Sequence, residues 1–226
     1  MLEVVSAHPL LQEVIVVDDG SNDNTAEVVR QFPSVKLISQ PLNLGKSIAM
    51  ATGVKAAQNE LLMLLDADLT GLATEHINAL AFPVLSGKAD VSLSLRQNSL
   101  LIFRIIGLDF VSGERVISKA LLSDVLEEMH GLPRFGIEVF MNRQIIARQF
   151  SIAVTHWPQV TQSRKTEKLG YWKGICAEWR MLSDLFQMDY PLALISQTYQ
   201  LLLLRINRPA PITFALWIVK LRDSLL

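Results

Sequence analysis

The clearest periodic signals lie in the first hundred residues. Glu13–Asp18 (Glu-Val-Ile-Val-Val-Asp) is a β-branched run with turn residues behind it, which predicts a short buried parallel strand. Asn24 with Glu27 three places on reads as a capping box opening a helix to Gln31. Val35–Ser39 is a second strand, and Ser47–Gln58 is an Ala-rich helix preceded by Asn43-Leu44-Gly45-Lys46. Leu61–Leu65 is wholly apolar and therefore a central third strand. Thr74 caps a helix through Ala81, and Asp90–Leu95 makes a fourth strand. This alternation predicts an α/β fold, an open and mostly parallel sheet with helices on both faces.

Periodicity then weakens. Ser118–Met129 and Ile137–Gln149 read as helices, and Ser151–Thr155 as an edge strand. Residues 161–174 are polar and basic, and from Ala177 the chain is helical again, ending in Leu201–Leu204 and Ile212–Leu226. The economical division is one domain, with a body over 1–160 and a basic loop and helical C-terminal extension over 161–226.

With 226 residues, 50% of them hydrophobic and 19% charged, the chain has ample material for a core and is not disordered. Mean hydropathy is +0.30, yet no apolar run reaches the roughly 18 residues of a spanning helix. The N-terminus lacks the pattern of a signal peptide, and the single cysteine, Cys176, excludes an internal disulfide. A cytoplasmic location is expected. Net charge is −1, but residues 1–140 carry 10 Lys+Arg against 17 Asp+Glu, while 141–226 carry 11 against 5. An acidic front suits a metal site and a basic back suits phosphates or anionic lipid; a nucleic-acid binder would be basic throughout.

Open α/β sheets bind ligands beyond the carboxyl ends of their strands, and two acidic clusters sit there: Asp18-Asp19-Gly20-Ser21 and Asp66-Ala67-Asp68-Leu69-Thr70. Carboxylates one residue apart can share a divalent cation, Mg²⁺ or Mn²⁺, along with substrate phosphates. The alternative is that each Asp caps its turn or the next helix.

Three segments occur in the order and spacing of a known family: Glu13–Thr25, Asn43-Leu44-Gly45-Lys46 and Asp66-Ala67-Asp68. Together they resemble family-2 glycosyltransferases with the Rossmann-like GT-A fold. The subgroup most resembled is the dolichyl-phosphate mannose synthase-like group, which transfers sugars to polyprenyl phosphates; similar sequences act on small phosphorylated acceptors. The resemblance implies a metal-dependent inverting transferase taking its sugar from a nucleotide diphosphate. It assigns Asp18, Asp19, Ser21, Gly45, Lys46 and Asp66 to the nucleotide sugar, and Asp66 and Asp68 to the metal. Thr70 stands where the polyprenyl subgroup often has Gln. Arg96, Ser112 and Arg115 match positions expected to hold acceptor phosphate, as does the basic loop with Arg164, Lys165 and Lys168. Phe135-Gly136-Ile137-Glu138 resembles the opening of the acceptor-side helix, making Glu138 a catalytic residue beside Asp68: a general base for a hydroxyl acceptor, a positioning group for an ionised phosphate. Some relatives use a downstream His on the metal; by loop position Gln162 lies nearer that place than His156. Ordinary surface or ion-paired roles remain the alternative for each Arg and for Glu138.

The family's opening strand and its Pro-x-Tyr-Asn-Glu-like turn have no counterpart here, and Leu2–Leu10 resembles the end of the helix that follows them. The chain as written is therefore expected to bind donor weakly. Apolar stripes with basic flanks around Leu201–Leu204 and Ile212–Leu226 predict peripheral contact with the inner face of a membrane; packing on the sheet or a homodimer contact reads the same. Asp66-Ala67-Asp68 also fits a haloacid-dehalogenase-type phosphatase, though no downstream acidic pair supports it. An inactive, truncated glycosyltransferase-like binding module is the non-enzyme alternative.

Overall fold

The computed structural model describes residues 1–129, 132, 136–162 and 191–206. The first layer of strands follows the periodicity closely. β1 (Val14–Asp18) and β2 (Val35–Ser39) pair in parallel, from Val14 opposite Val35 to Asp18 opposite Ser39. A second sheet runs β3 (Leu61–Leu64), β6 (Arg115–Ser118), β5 (Val91–Arg96), β7 (Ile152–Trp157). β5 and β7 are parallel, while β6 lies antiparallel between β3 and β5. A short ladder joins β4 (Leu69–Thr70) to β8 (Thr161–Gln162). Glu13 accepts hydrogen bonds from the amides of Gln58 (2.6 Å) and Asn59 (3.1 Å), so β1 and β3 start side by side. All the main strands but β6 therefore point the same way, and the acidic turns after β1 and β3 share one end of the molecule.

Helices α1 (Leu2–Ser6) and α4 (Thr74–Leu85) cover one face, with Val5, Ile77, Leu80 and the buried Trp157 in a common cluster. The other face carries α3 (Lys46–Ala56), α5 (Leu101–Ile106), α6 (Ala120–Ser123), α7 (Leu126–Met129), α8 (Gly136–Ala147) and α9 (Pro191–Leu204) over the larger core. The remaining helix, α2 (Thr25–Arg30), flanks β1 and β2. β5 is buried along its whole length: Val91, Leu93 and Leu95 enter the larger core, while Ser92 bonds the Leu80 carbonyl. Each aliphatic side chain so buried contributes about 1.5–3 kcal/mol. α9 joins the same core through Leu194 and Leu201, and Gln197 donates to the Val139 carbonyl at 3.1 Å.

Several local expectations change. Asn24 is the N-cap of α2, but its side chain makes no capping bond; Asp23 does that work, accepting from the Thr25 amide and hydroxyl. α4 continues past Ala81 to Leu85 with Pro83 inside it, and its first turn is closed by His76 Nδ1 accepting from the Ala73 amide. The stretch expected as one helix from Ser118 is the end of β6 followed by two four-residue helices. A four-residue strand buried by its neighbours leaves too short a pattern to separate from helix. Ile212–Leu226, Ala177–Tyr190 and most of the basic loop lie outside the described residues. Among the described residues no helix is long and apolar enough to cross a membrane.

Candidate active site

The turn after β1 and the start of α3 form one unit. Asp18 Oδ1 accepts the Ser21 amide at 3.0 Å, which closes the turn. Asp19 uses both oxygens, Oδ1 on the Leu44 amide and Oδ2 on the Gly45 amide, each at 2.8 Å. Gly20 sits between them at φ +71°, where a Cβ would lie 2.6 Å from the Asn43 nitrogen and the Leu42 carbonyl carbon. Only glycine fits that approach. Asp18 is buried, Asp19 half-buried and Ser21 exposed. Gly45, at φ +95°, opens α3, and Lys46 is its first residue.

Lys46 crosses from this unit to the turn after β3. Its Nζ donates to Asp66 Oδ1 at 2.8 Å and to Glu138 Oε1 at 2.7 Å. Partial burial pulls the ammonium down, but the two carboxylates outweigh it and hold Lys46 above the ordinary lysine range. Glu138, in the first turn of α8, is 1% exposed, and its Oε2 is buried without a hydrogen-bond partner among the described residues. Asp68 is exposed on the far side of Asp66 in sequence. The β4–β8 ladder brings Gln162 to both acids: its Nε2 donates to Asp68 Oδ1 at 2.9 Å and lies 3.4 Å from Asp66 Oδ2. Gly113 backs Asp66 so closely that a Cβ would fall 2.5–2.7 Å from its carboxylate.

Behind this lies a buried charged network. Arg96 Nη1 donates to Glu114 Oε1 (3.0 Å) and Gln162 Oε1 (2.9 Å), and Nη2 is 3.9 Å from Asp109. The Ser94 and Ser112 hydroxyls both reach Glu114 Oε2 at 2.8 Å. Arg115 is fully buried, donating to the Ser112 carbonyl and to Asn142 Oδ1. Burial pulls its guanidinium below the usual arginine range, against the pull of Glu138, Glu114, Asp109 and Asp66. Ser112 and Arg115 thus spend their polar groups inside the protein, and Arg96 touches the acidic pair through Gln162.

Burial pushes the Asp109 carboxyl above its ordinary value, with Glu114 adding to the shift while Ser99 and Arg96 oppose it. A carboxyl with a raised folded pKa binds more protons folded than unfolded between about pH 3.9 and that pKa, so its contribution to stability falls as pH rises through the window. Asp109→Asn is expected to remove this falling limb in urea midpoints measured from pH 4 upward; an unchanged pH profile would show that Asp109 keeps an ordinary pKa.

The structure therefore brings together Lys46, Asp66, Asp68 and Glu138, with Asp18, Asp19 and Gly45 shaping the adjoining turn. Gln162 rather than His156 meets the acidic pair; His156 lies on β7 opposite Leu95. His8 and His76 bond backbone amides, at Leu10 and Ala73, as structural histidines do. Arg164, Lys165, Lys168, His130 and Phe135 lie outside the described residues. Glu114, Asp109 and Asn142 carried no signal beyond being polar in an apolar stretch. Among the described residues no group of three or more His, Cys, Asp or Glu converges on a metal site. Two neighbouring carboxylates that share one amide donor are a hard-oxygen pair, and they fit a cation that takes its other ligands from water and phosphate.

An α/β sheet with acidic turns at its carboxyl ends is the GT-A architecture, and the structure is similar to glucosyl-3-phosphoglycerate synthase from Mycobacterium tuberculosis. One crystal structure of that protein, with Mn²⁺, uridine-diphosphate-glucose and phosphoglyceric acid, superposes with a TM-score of 0.56 at 21% identity, over 71% of this chain and 64% of that one. Residues 2–99 match the glycosyl transferase family 2 model, and over that stretch the chain is similar to that family. A dolichyl-phosphate beta-glucosyltransferase of Trichomonas vaginalis is 45% identical over 60 residues, 25% of this chain and 18% of that protein. A poly-beta-1,6-N-acetyl-D-glucosamine synthase of Staphylococcus epidermidis is 42% identical over 60 residues, 25% of this chain and 15% of that protein. The matched segment thus spans less than a fifth of these curated relatives.

Proposed function

We propose that the protein transfers a sugar from a nucleoside diphosphate to a phosphate-bearing acceptor, with inversion and with help from Mg²⁺ or Mn²⁺. The observation that carries this reading is the Lys46 ammonium held between Asp66 and Glu138 beside the Asp66–Asp68 pair. The turn of Asp18, Asp19 and Ser21 with Gly45 would border the nucleotide, its backbone already set by the Asp19 clamp. Asp66 and Asp68 would hold the metal, which supplies stabilisation of charge on the leaving diphosphate. Lys46 adds a fixed positive charge at the same place. Glu138 would take the proton of a hydroxyl acceptor, or would orient Lys46 through Oε1 when the nucleophile is an ionised phosphate. Arg96, Arg115 and Ser112 support the site from behind in this reading. Arg164, Lys165 and Lys168 are the further candidates for acceptor phosphate. The similar structure with bound phosphoglyceric acid and the dolichyl-phosphate relative both support a phosphate-bearing acceptor.

An apolar stripe on α9 with Leu192, Ile195, Tyr199 and Leu203 exposed supports peripheral contact with a cytoplasmic membrane face. The reading is tested by a thermal-shift panel of nucleoside diphosphates and nucleotide sugars, with and without Mn²⁺. A ligand at about 100 times its Kd stabilises by about 2.7 kcal/mol. One nucleotide is expected to raise Tm only with metal, and the Asp66→Ala/Asp68→Ala double variant to lose that rise. No metal-dependent shift with any nucleotide would count against the transferase.

A further inference from the structure

Gln162 is fixed at both ends. Its backbone pairs with β4 opposite Leu69, and Asn98 brackets the same residue, donating to the Gln162 carbonyl at 3.0 Å and accepting its amide at 3.3 Å. The side-chain oxygen accepts from Arg96 Nη1 at 2.9 Å, while the side-chain nitrogen donates to Asp68 Oδ1 at 2.9 Å and lies 3.4 Å from Asp66 Oδ2. Arg96 is aimed in turn by Glu114, whose Oε1 takes the same Nη1 at 3.0 Å and whose Oε2 holds the Ser94 and Ser112 hydroxyls. Asp68 stands at the far end of this relay. It is exposed, and among the described residues its carboxylate bonds to Gln162 alone, whereas Asp66 also meets Lys46.

The direction of the Gln162 amide follows from counting donors. A guanidinium carries N–H donors and no acceptor, and an ionised carboxylate only accepts. A group standing between them must turn oxygen to the first and N–H to the second, and an amide does so in one orientation. The reverse orientation would aim the NH2 group at Arg96, which is buried, and leave two donors facing each other away from water. We propose that Gln162 is a positioning residue for Asp68, held by Arg96 as a hydrogen-bond donor, and that it keeps this role outside the cation's own ligand set when the acidic pair binds Mg²⁺ or Mn²⁺. The proposal rests on the reading of Asp66 and Asp68 as the metal pair. A carboxylate that ligates a metal is itself oriented by a hydrogen-bond partner, and disturbing that partner weakens the metal by about 10–100-fold. For the exposed Asp68 that partner is Gln162, and the effect of Arg96 on the cation passes through the same amide.

The test reads Mn²⁺ affinity of the full chain from the paramagnetic resonance signal of free Mn²⁺, with no turnover involved. Gln162→Leu and Arg96→Lys are each expected to raise Kd by about tenfold or more. Lysine keeps a positive charge beside Glu114 but lacks the planar guanidinium and its reach. The double variant should bind no more weakly than Gln162→Leu alone, since Arg96 acts through that amide. Were Gln162 a ligand through its oxygen, loss of the Arg96 donor would free the amide to turn, and Arg96→Lys would bind Mn²⁺ at least as tightly as the wild type. That result overturns the proposal. Effects that multiply in the double variant overturn it too, as does unchanged or tighter binding by Gln162→Leu. A further measurement needs no variant to fold: the ¹⁵N-labelled NH2 group of Gln162 in the wild-type chain is expected to stay protected from solvent exchange when Mg²⁺ saturates the site. Loss of that protection would show the oxygen turned to the ion and overturn the donor role. Absence of any Mn²⁺ binding by the wild-type chain would instead overturn the metal reading itself, and this role with it.

Discussion

Arg96→Met is expected to lower the unfolding free energy by about 3–5 kcal/mol, the usual result of removing one member of a buried ion pair. Arg96 is 9% exposed and Glu114 is not exposed at all, so no water replaces the lost guanidinium. Glu114 Oε2 keeps the Ser94 and Ser112 hydroxyls, but Oε1 loses its donor, and Asp109 loses its nearest positive charge. Against a typical total of about 5–15 kcal/mol this is a large fraction. Urea denaturation of Arg96→Met, Glu114→Gln and the double variant measures it as a cycle. The double variant is expected to recover part of the loss, because the carboxylate left stranded in the single variant is then neutral. A loss below about 1 kcal/mol would place Arg96 in the class of solvated ion pairs and remove its structural role.

Gly113→Ala should do the opposite, leaving stability nearly intact while damaging the site. Its new Cβ would lie 2.5–2.7 Å from the Asp66 carboxyl atoms, and what must move is the end of a side chain, not backbone. Asp66 is expected to swing away from Lys46 and Gln162, which it now meets at 2.8 and 3.4 Å. Unfolding free energy should change by less than about 1 kcal/mol, within the range of ordinary substitutions. Metal-dependent nucleotide binding should weaken by about 10–100-fold, the effect seen when the surroundings of a metal ligand are disturbed. Calorimetric titration with nucleotide and Mn²⁺ measures this. Unchanged affinity would mean that Asp66 does not hold the metal.

Much of this was readable in the chain. β1, β2, α3, β3, α4 and β5 announce themselves because their apolar, β-branched or Ala-rich runs are bounded by turn residues. The acidic turns are legible for the same reason: each follows a strand whose apolar character fixes which end faces outward. β6 was not legible, because Arg115–Ser118 holds only two apolar residues between two polar ones, unlike the wholly apolar β3, and its place between β3 and β5 is set by contacts from both sides. Its reversal within an otherwise parallel set likewise depends on the chain's path rather than on its composition. The capping of α2 by Asp23 in place of Asn24 turns on a rotamer choice that spacing does not encode.

By itself the sequence determined the alternation of strands and helices, the strand ends at which Asp18, Asp19, Asp66 and Asp68 gather, and the likeness to family-2 glycosyltransferases. These are local properties, carried by side-chain period and by turn chemistry within a few residues. The tertiary structure alone decided that Lys46 meets both Asp66 and Glu138, the latter 92 residues away along the chain, and that Gln162 closes on the acidic pair. It also decided that Arg115 and Ser112 face inward and that β1 and β3 stand apart. Those facts depend on distance between residues remote in sequence, and only the packing of the sheet and its two helical layers sets that distance.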